Sequence, residues 1–174
     1  MQKIYETIIY HDDNNKSLVT TDNGFRVGVA PVKDADLWHT NPEQLIGASW
    51  AACLKATIDS IIKARKLTNK SKVNIKVTLF FDPKTRYEFK IEGFAAIENL
   101  NLEDAQRIVK SAHRLCPVSK LIGNNESVTL TTVNYWPASN LSITSFKRSG
   151  LSVIIPSAPF LIKSSIVSSS LTVQ

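Results

Sequence analysis

The sequence predicts an α+β fold in which helices are segregated from an antiparallel sheet and one long buried helix forms the centre. Three observations predict it. Short β-like and helix-like runs succeed one another in the order βββ–α–ββ–αα–β. Residues 45–54 are apolar nearly all round, the mark of a helix buried on most sides. The chain has 174 residues, 43% of them hydrophobic, enough for one domain with a real core and too few for two.

Ile4, Tyr5, Thr7, Ile8, Ile9 and Tyr10 make residues 4–10 rich in β-branched and aromatic side chains, a strand. Polar residues 11–16 read as a turn, residues 18–21 as a second strand, and Asp22-Asn23-Gly24 as a tight turn into a third strand at 25–29. Together these make a three-stranded meander. A long helix opens at Thr40-Asn41-Pro42-Glu43 and runs to about Lys66. Either Thr40 caps it with Glu43 as the capping-box partner, or Asn41 caps it with Pro42 at the first helical position. Its second half gains a polar side at Lys55, Asp59, Lys63, Arg65 and Lys66 and must emerge from the core. Val73, Ile75, Val77 and Leu79 alternate with polar residues, as do Tyr87, Phe89 and Ile91, giving two half-buried strands. Leu102, Ala105, Ile108, Val109 and Ala112 keep helical spacing behind Asn101 as cap. Pro117 starts a short helix that Gly123 ends, and Val128, Leu130 and Thr132 form the last strand. The long apolar helix exceeds what one small sheet buries, so a partner subunit is expected to cover the rest.

Charge and texture divide the chain into residues 1–137 and a C-terminal extension, residues 138–174. Lys plus Arg is 21 and Asp plus Glu is 15, a formal net charge of +6. The extension holds Lys147, Arg148 and Lys163 and no acidic residue, so residues 1–137 carry only +3. That small excess, with no basic run interleaved with aromatics, argues against nucleic-acid binding. The 37 residues of the extension include 11 serines and no clear period, and they assign no function. No run of about 18 uninterrupted apolar residues is present, so no membrane span is expected. Without a basic-then-apolar leader in the first residues, the expected location is cytoplasmic. Phosphate loops, serine-nucleophile elbows and motifs for flavin, haem or nicotinamide are all missing, so no cofactor is expected.

Two cysteines make neither a disulfide-dense scaffold nor a four-thiolate zinc site. Cys53 sits in the apolar half of the long helix. Cys116 precedes Pro117, which excludes it from a helix and makes it the N-cap of the next one, where a thiolate is favoured. From the residues alone two readings stand: a reacting pair, or two unrelated cysteines, one packing as a small hydrophobe and one on a turn. His113 and Cys116 could share a metal, but two ligands do not make a site, and helix-to-cap packing explains the histidine; no metal is expected. His11 and His39 are isolated, and Trp50 and Trp136 read as core or interface packing.

The run Thr40-Asn41-Pro42-Glu43-Gln44-Leu45 to Ala51-Ala52-Cys53, with Ala112-His113-Arg114-Leu115-Cys116-Pro117-Val118-Ser119, resembles the OsmC/Ohr family of osmotically inducible and organic hydroperoxide resistance proteins. The first block resembles its NPEQL…AAC signature and the second its AH-x-x-CP-x-S signature. The 63-position spacing of the cysteines is similar too, and the likeness covers about residues 3–136. It implies an OsmC-like fold, an intertwined homodimer with active sites at its interface, and a thiol-dependent peroxidase acting on organic hydroperoxides without a prosthetic group. Cys53 would be the peroxidatic cysteine and Cys116 the resolving one. An external dithiol, lipoyl in type, would reduce their disulfide. An apolar helix around Cys53 suits fatty or aryl hydroperoxides.

Burial raises a thiol pKa, so the chemistry needs a cation near Cys53. In the Ohr branch the resemblance gives that role to an arginine of the early meander, held by the glutamate of the NPEQL block, here Glu43. Glu43 also fits the capping box, and both readings stand. Ten helical residues separate it from Cys53, about 15 Å, so it would serve a thiol across a dimer interface unless the helix breaks. The expected arginine turn reads His11-Asp12-Asp13-Asn14-Asn15-Lys16 and holds no arginine. Arg26 on the third strand is the first substitute and Lys16 the second, although an exposed strand arginine needs no such role. Two further readings follow: a non-catalytic ligand-binding or stress protein on the same fold that has lost the activating arginine, and a structural dimer whose cysteines only pack.

Overall fold

The computed structural model describes residues 2–13, 16–34, 36 and 38–135 of the chain. Trp136 and the extension at 138–174 lie outside the described residues.

Among the described residues two sheets carry seven strands. The first holds β1 (Ile9–Tyr10), β2 (Leu18–Thr21), β3 (Arg26–Val29) and β4 (His39–Thr40) in that order. The meander expected from the sequence is present, with Gly24 at φ 91° in the turn between β2 and β3, a conformation glycine adopts without strain. The first strand is shorter than its composition suggests. Only Ile9 and Tyr10 pair, with Thr21 and Thr20, because β2 ends at Thr21 and the chain turns at Asp22-Asn23-Gly24 before it can pair with the residues preceding Ile9. Ile4, Tyr5 and Ile8 precede it as exposed apolar side chains. No pattern in the chain announces β4. It joins β3 in parallel after a 3-10 turn at Val32–Asp34, and two residues are too few to show a period.

The second sheet holds β5 (Ser71–Asp82), β6 (Arg86–Ile97) and β7 (Val128–Thr132). β5 and β6 form a long antiparallel hairpin, in register from Ser71 opposite Ile97 to Asp82 opposite Arg86. At its turn Asp82 accepts hydrogen bonds from the backbone N–H of Lys84 and Thr85, and Arg86 takes φ 72°. β7 runs parallel to β6, Ile91 to Ala95 facing Val128 to Thr132. Both sheets are thus mixed, which corrects the expectation of a purely antiparallel sheet. Parallel neighbours need a crossover, and two helices between β6 and β7 supply it.

Helix α1 (Pro42–Ala64) is capped by Asn41, whose side chain accepts the Gln44 N–H at 2.8 Å, with Pro42 at the first position. The capping-box alternative is excluded: Thr40 instead donates to the Gln44 side chain, which frees Glu43. The helix ends two residues before Lys66, which takes φ 57°. Gly47, Trp50, Leu54, Ile58 and Ile62 bury one stripe of α1 against β5, α2 (Leu102–Leu115) and α3 (Pro117–Ile122). The opposite side, with Ala48, Ala52 and Ala56, is exposed. So α1 is central, but within one chain it is buried along one face, not most faces, since a three-stranded sheet and two helices cover only one side. An 18-residue window of α1 has mean hydropathy 1.4, long and apolar enough to cross a membrane by composition, yet its buried stripe is that of a core helix. Asn101 caps α2 by accepting the Asp104 N–H, and Ala105, Ile108, Val109 and Ala112 face the core; Leu102, in the first turn, is exposed.

Gly93 on β6 receives the Trp50 ring of α1. A Cβ there would lie 2.9 Å from both the Trp50 ring and Leu130. The indole therefore lies directly on the strand, which fixes the height of α1, and with it Cys53, above the sheet.

Candidate functional site

Cys53 lies on α1 one turn beyond Trp50, half-buried, among the apolar side chains bordering the core. Cys116 joins α2 to α3. Its φ of −62° and ψ of 120° are the extended backbone that a following proline requires. It is fully buried. The two sulfurs are 3.1 Å apart and both thiols are free. A disulfide needs about 2.05 Å, so a shift of about 1 Å closes the bond.

Three groups of α3 surround Cys116 Sγ. The Ser119 N–H donates to it at 3.4 Å, and the Ser119 hydroxyl and the Val118 N–H add further stabilisation of negative charge. Burial pushes the Cys116 thiol up, but these donors and the neighbouring Cys53 outweigh it, so the thiol lies below its ordinary value. Cys53 goes the other way. Burial raises it, the Val118 N–H opposes this, and a second negative charge on Cys116 raises it further. The pair thus holds one thiolate more readily than two, and within one chain that charge rests on the Cys116 side.

Ser119 is the site residue to which the sequence reading gave no role. It is 2% exposed, and its Oγ accepts the Trp50 indole N–H at 2.8 Å. A signal was available: a residue three after an N-cap presents its N–H to the cap side chain, here Cys116. The Trp50 partner, 69 positions away, had no such signal.

Cys53 and Cys116 are brought together; the other candidates are not joined to them. Glu43 sits in the first turn of α1, which runs unbroken to Ala64, so about 15 Å of helix separates it from its own Cys53. One of its carboxylate oxygens, Oε2, is buried with no hydrogen-bond partner among the described residues. Arg26 is exposed on β3 and forms no ion pair among the described residues. Lys16 borders an open polar depression of about 330 Å³ with His11, Asp12 and Asp13. Neither cation is among the groups that shift the Cys53 thiol. His113 packs at a tilt 6.4 Å from the Trp50 ring. Among the described residues no group of three or more His, Cys, Asp or Glu could hold a metal ion.

The family model for OsmC-like proteins matches residues 33–131. An organic hydroperoxide resistance protein-like 1 of Staphylococcus epidermidis is 35% identical over 130 residues, covering 72% of this chain and 93% of the relative. Among solved structures, an organic hydroperoxide resistance protein from Elizabethkingia anophelis has a TM-score of 0.69 at 27% identity, covering 78% of this chain and 100% of that one. The organic hydroperoxide resistance protein OsmC from Legionella pneumophila has a TM-score of 0.65 at 25% identity, again with 78% and 100% covered. With a family model matched over more than half of its length and both signature blocks meeting at the paired thiols, the chain belongs to the OsmC/Ohr family.

Proposed function

We propose that the chain is a thiol-dependent peroxidase that reduces organic hydroperoxides to alcohols. The observation that carries this reading is the 3.1 Å approach of two free thiols, one fully buried, in the members of the family signatures. The Cys53 thiolate attacks the distal oxygen of the hydroperoxide. The O–O bond breaks, the alkoxide takes a proton and leaves as alcohol, and Cys53 becomes a sulfenic acid. Cys116 thiolate then attacks that sulfur; the S–S bond forms, and hydroxide leaves and takes a proton as water. An external dithiol of lipoyl type, in the reducing cytoplasm, returns both thiols in exchange for its own disulfide.

Catalysis is proposed to require a homodimer. The first sheet buries none of its strand residues, Ile4 is 94% and Trp38 85% exposed, and the alanine side of α1 is uncovered. A second copy supplies matching apolar surface. The unpartnered Glu43 oxygen supports a cation arriving from elsewhere, and Arg26, with Lys16 second, is proposed to be that cation, aimed at the thiol of the other subunit. The competing reading, a non-catalytic binding protein on the same fold, draws on one observation: among the described residues no cation offsets the burial that raises Cys53.

Subunit mixing tests the arrangement. With dihydrolipoamide as reductant, Cys53→Ser and Glu43→Gln chains are each expected to be nearly inactive towards cumene hydroperoxide. Their mixed dimer is expected to regain one working site of two, because the Glu43 of one chain then serves the Cys53 of the other. A mixed dimer as inactive as its parents places Glu43 outside the partner's site. An unsubstituted chain that binds cumene hydroperoxide without consuming it supports the binding protein.

A further inference from the structure

The Trp50–Ser119 hydrogen bond joins α1 to α3 beside the thiols, and peroxidase chemistry as described above assigns it no task. It links a fully buried indole to a hydroxyl that is 2% exposed, at 2.8 Å. Ser119 Oγ receives the indole N–H in one lone pair, so its own proton is available to a different acceptor. Cys116 Sγ is the neighbouring candidate: the Ser119 N–H donates to it at 3.4 Å, and the Ser119 hydroxyl is among the groups that lower its thiol.

We propose that Ser119, anchored by Trp50, is a positioning residue for disulfide formation: it holds Cys116 Sγ against Cys53 and keeps it as the thiolate that attacks the sulfenic sulfur. The proposal rests on the peroxidase reading for its step, in which Cys116 supplies the electron pair, the Cys53 S–O bond breaks, and hydroxide leaves as water. It does not rest on that reading for its physical content, which concerns the reduced protein. Burial raises the Cys116 thiol, and the Ser119 hydroxyl and N–H lead the groups that bring it below its ordinary value, in agreement with the geometry. The other titratable groups near Cys116 are Cys53 on α1 and His113 one turn before it on α2; Arg114 and Lys120 on the flanking helices are exposed. Trp50 adds specificity to the arrangement. It lies on Gly93 of β6, so the relay references Cys116 to the same strand that sets the height of Cys53.

The test titrates thiolate absorbance at 240 nm in full-length chains carrying Cys53→Ser, so that Cys116 is the one thiol and no peroxide is involved. Ser119→Ala is expected to raise the midpoint so that, below it, the thiolate fraction falls about tenfold, one pH unit. Ser119→Thr, which keeps hydroxyl and N–H, is expected to restore the parent midpoint. Trp50→Phe with Ser119→Ala removes donor and acceptor together, leaves no unpaired buried N–H, and is expected to fold and to titrate like Ser119→Ala. Unchanged midpoints in folded Ser119→Ala and double variants overturn the proposal. Shifted midpoints, together with an unsubstituted chain whose thiols hydroperoxide does not oxidise, uphold the relay and refute the peroxidase reading.

Discussion

Cys53→Ser is expected to lower hydroperoxide consumption at least about a thousandfold, to the level of protein-free buffer, because a serine hydroxyl is almost never ionised near neutral pH. The substitution replaces one half-buried atom by a smaller one, so the fold persists and the loss is chemical. Cys116 does not take over. It is fully buried, and Cys53 is one of the neighbours that lower its thiol, so removing that sulfur makes Cys116 a weaker nucleophile. The pH dependence of the parent chain follows from the same environment. Burial and the adjacent sulfur hold Cys53 above an ordinary thiol, and a group that must lose a proton before it reacts is limited by its thiolate fraction. In a single chain, the rate of thiol loss to cumene hydroperoxide is expected to climb about tenfold per pH unit through neutrality. A cation delivered across a dimer moves the start of the plateau to lower pH. Arg26→Ala, in that case, returns the steep climb.

Cys116→Ser is expected to leave the first turnover intact and to abolish the cycle. Cys53 reaches the sulfenic acid and finds no second sulfur at 3.1 Å. The chain should consume one equivalent of hydroperoxide and stall, with a dimedone-reactive sulfenic acid on Cys53, and with excess peroxide it should advance to the irreversible sulfinic acid. Mass spectrometry of the Cys53 peptide reads each species. Continued turnover with dihydrolipoamide would show that the reductant reaches the sulfenic acid directly and that Cys116 has no resolving role.

Local signals in the chain expose much of this arrangement. Alternation at Val73 to Leu79 and at Tyr87 to Ile91 marks the hairpin, and the spacing of Ala105, Ile108, Val109 and Ala112 marks the buried face of α2, because each pattern reports one element's contact with one core. Cys116 declares itself an N-cap through the proline beside it. What depends on long-range pairing is not written locally. β4 and the parallel register of β7 arise from where the crossover returns the chain, and the 3.1 Å meeting of the two thiols spans 63 positions. In the sequence that pairing was accessible through resemblance to a family, not through spacing. The Trp50–Ser119 bond escaped for a related reason: a tryptophan in an apolar run reads as packing, and its N–H becomes informative once the opposite wall of the core is known. The turn at residues 11–16 is the converse. Its lack of an arginine is plain in the sequence, and among the described residues of the single chain no cation compensates the burial of Cys53.

Counting free thiols on the fully reduced chain, before and after one equivalent of cumene hydroperoxide and with no other donor present, tests the peroxidatic pair most directly. The expected result is a rapid fall from two thiols per chain to zero, with a Cys53–Cys116 disulfide on mapping and full recovery on adding a dithiol. Two thiols persisting while the hydroperoxide remains intact would contradict it, and would make the chain a binding member of its family.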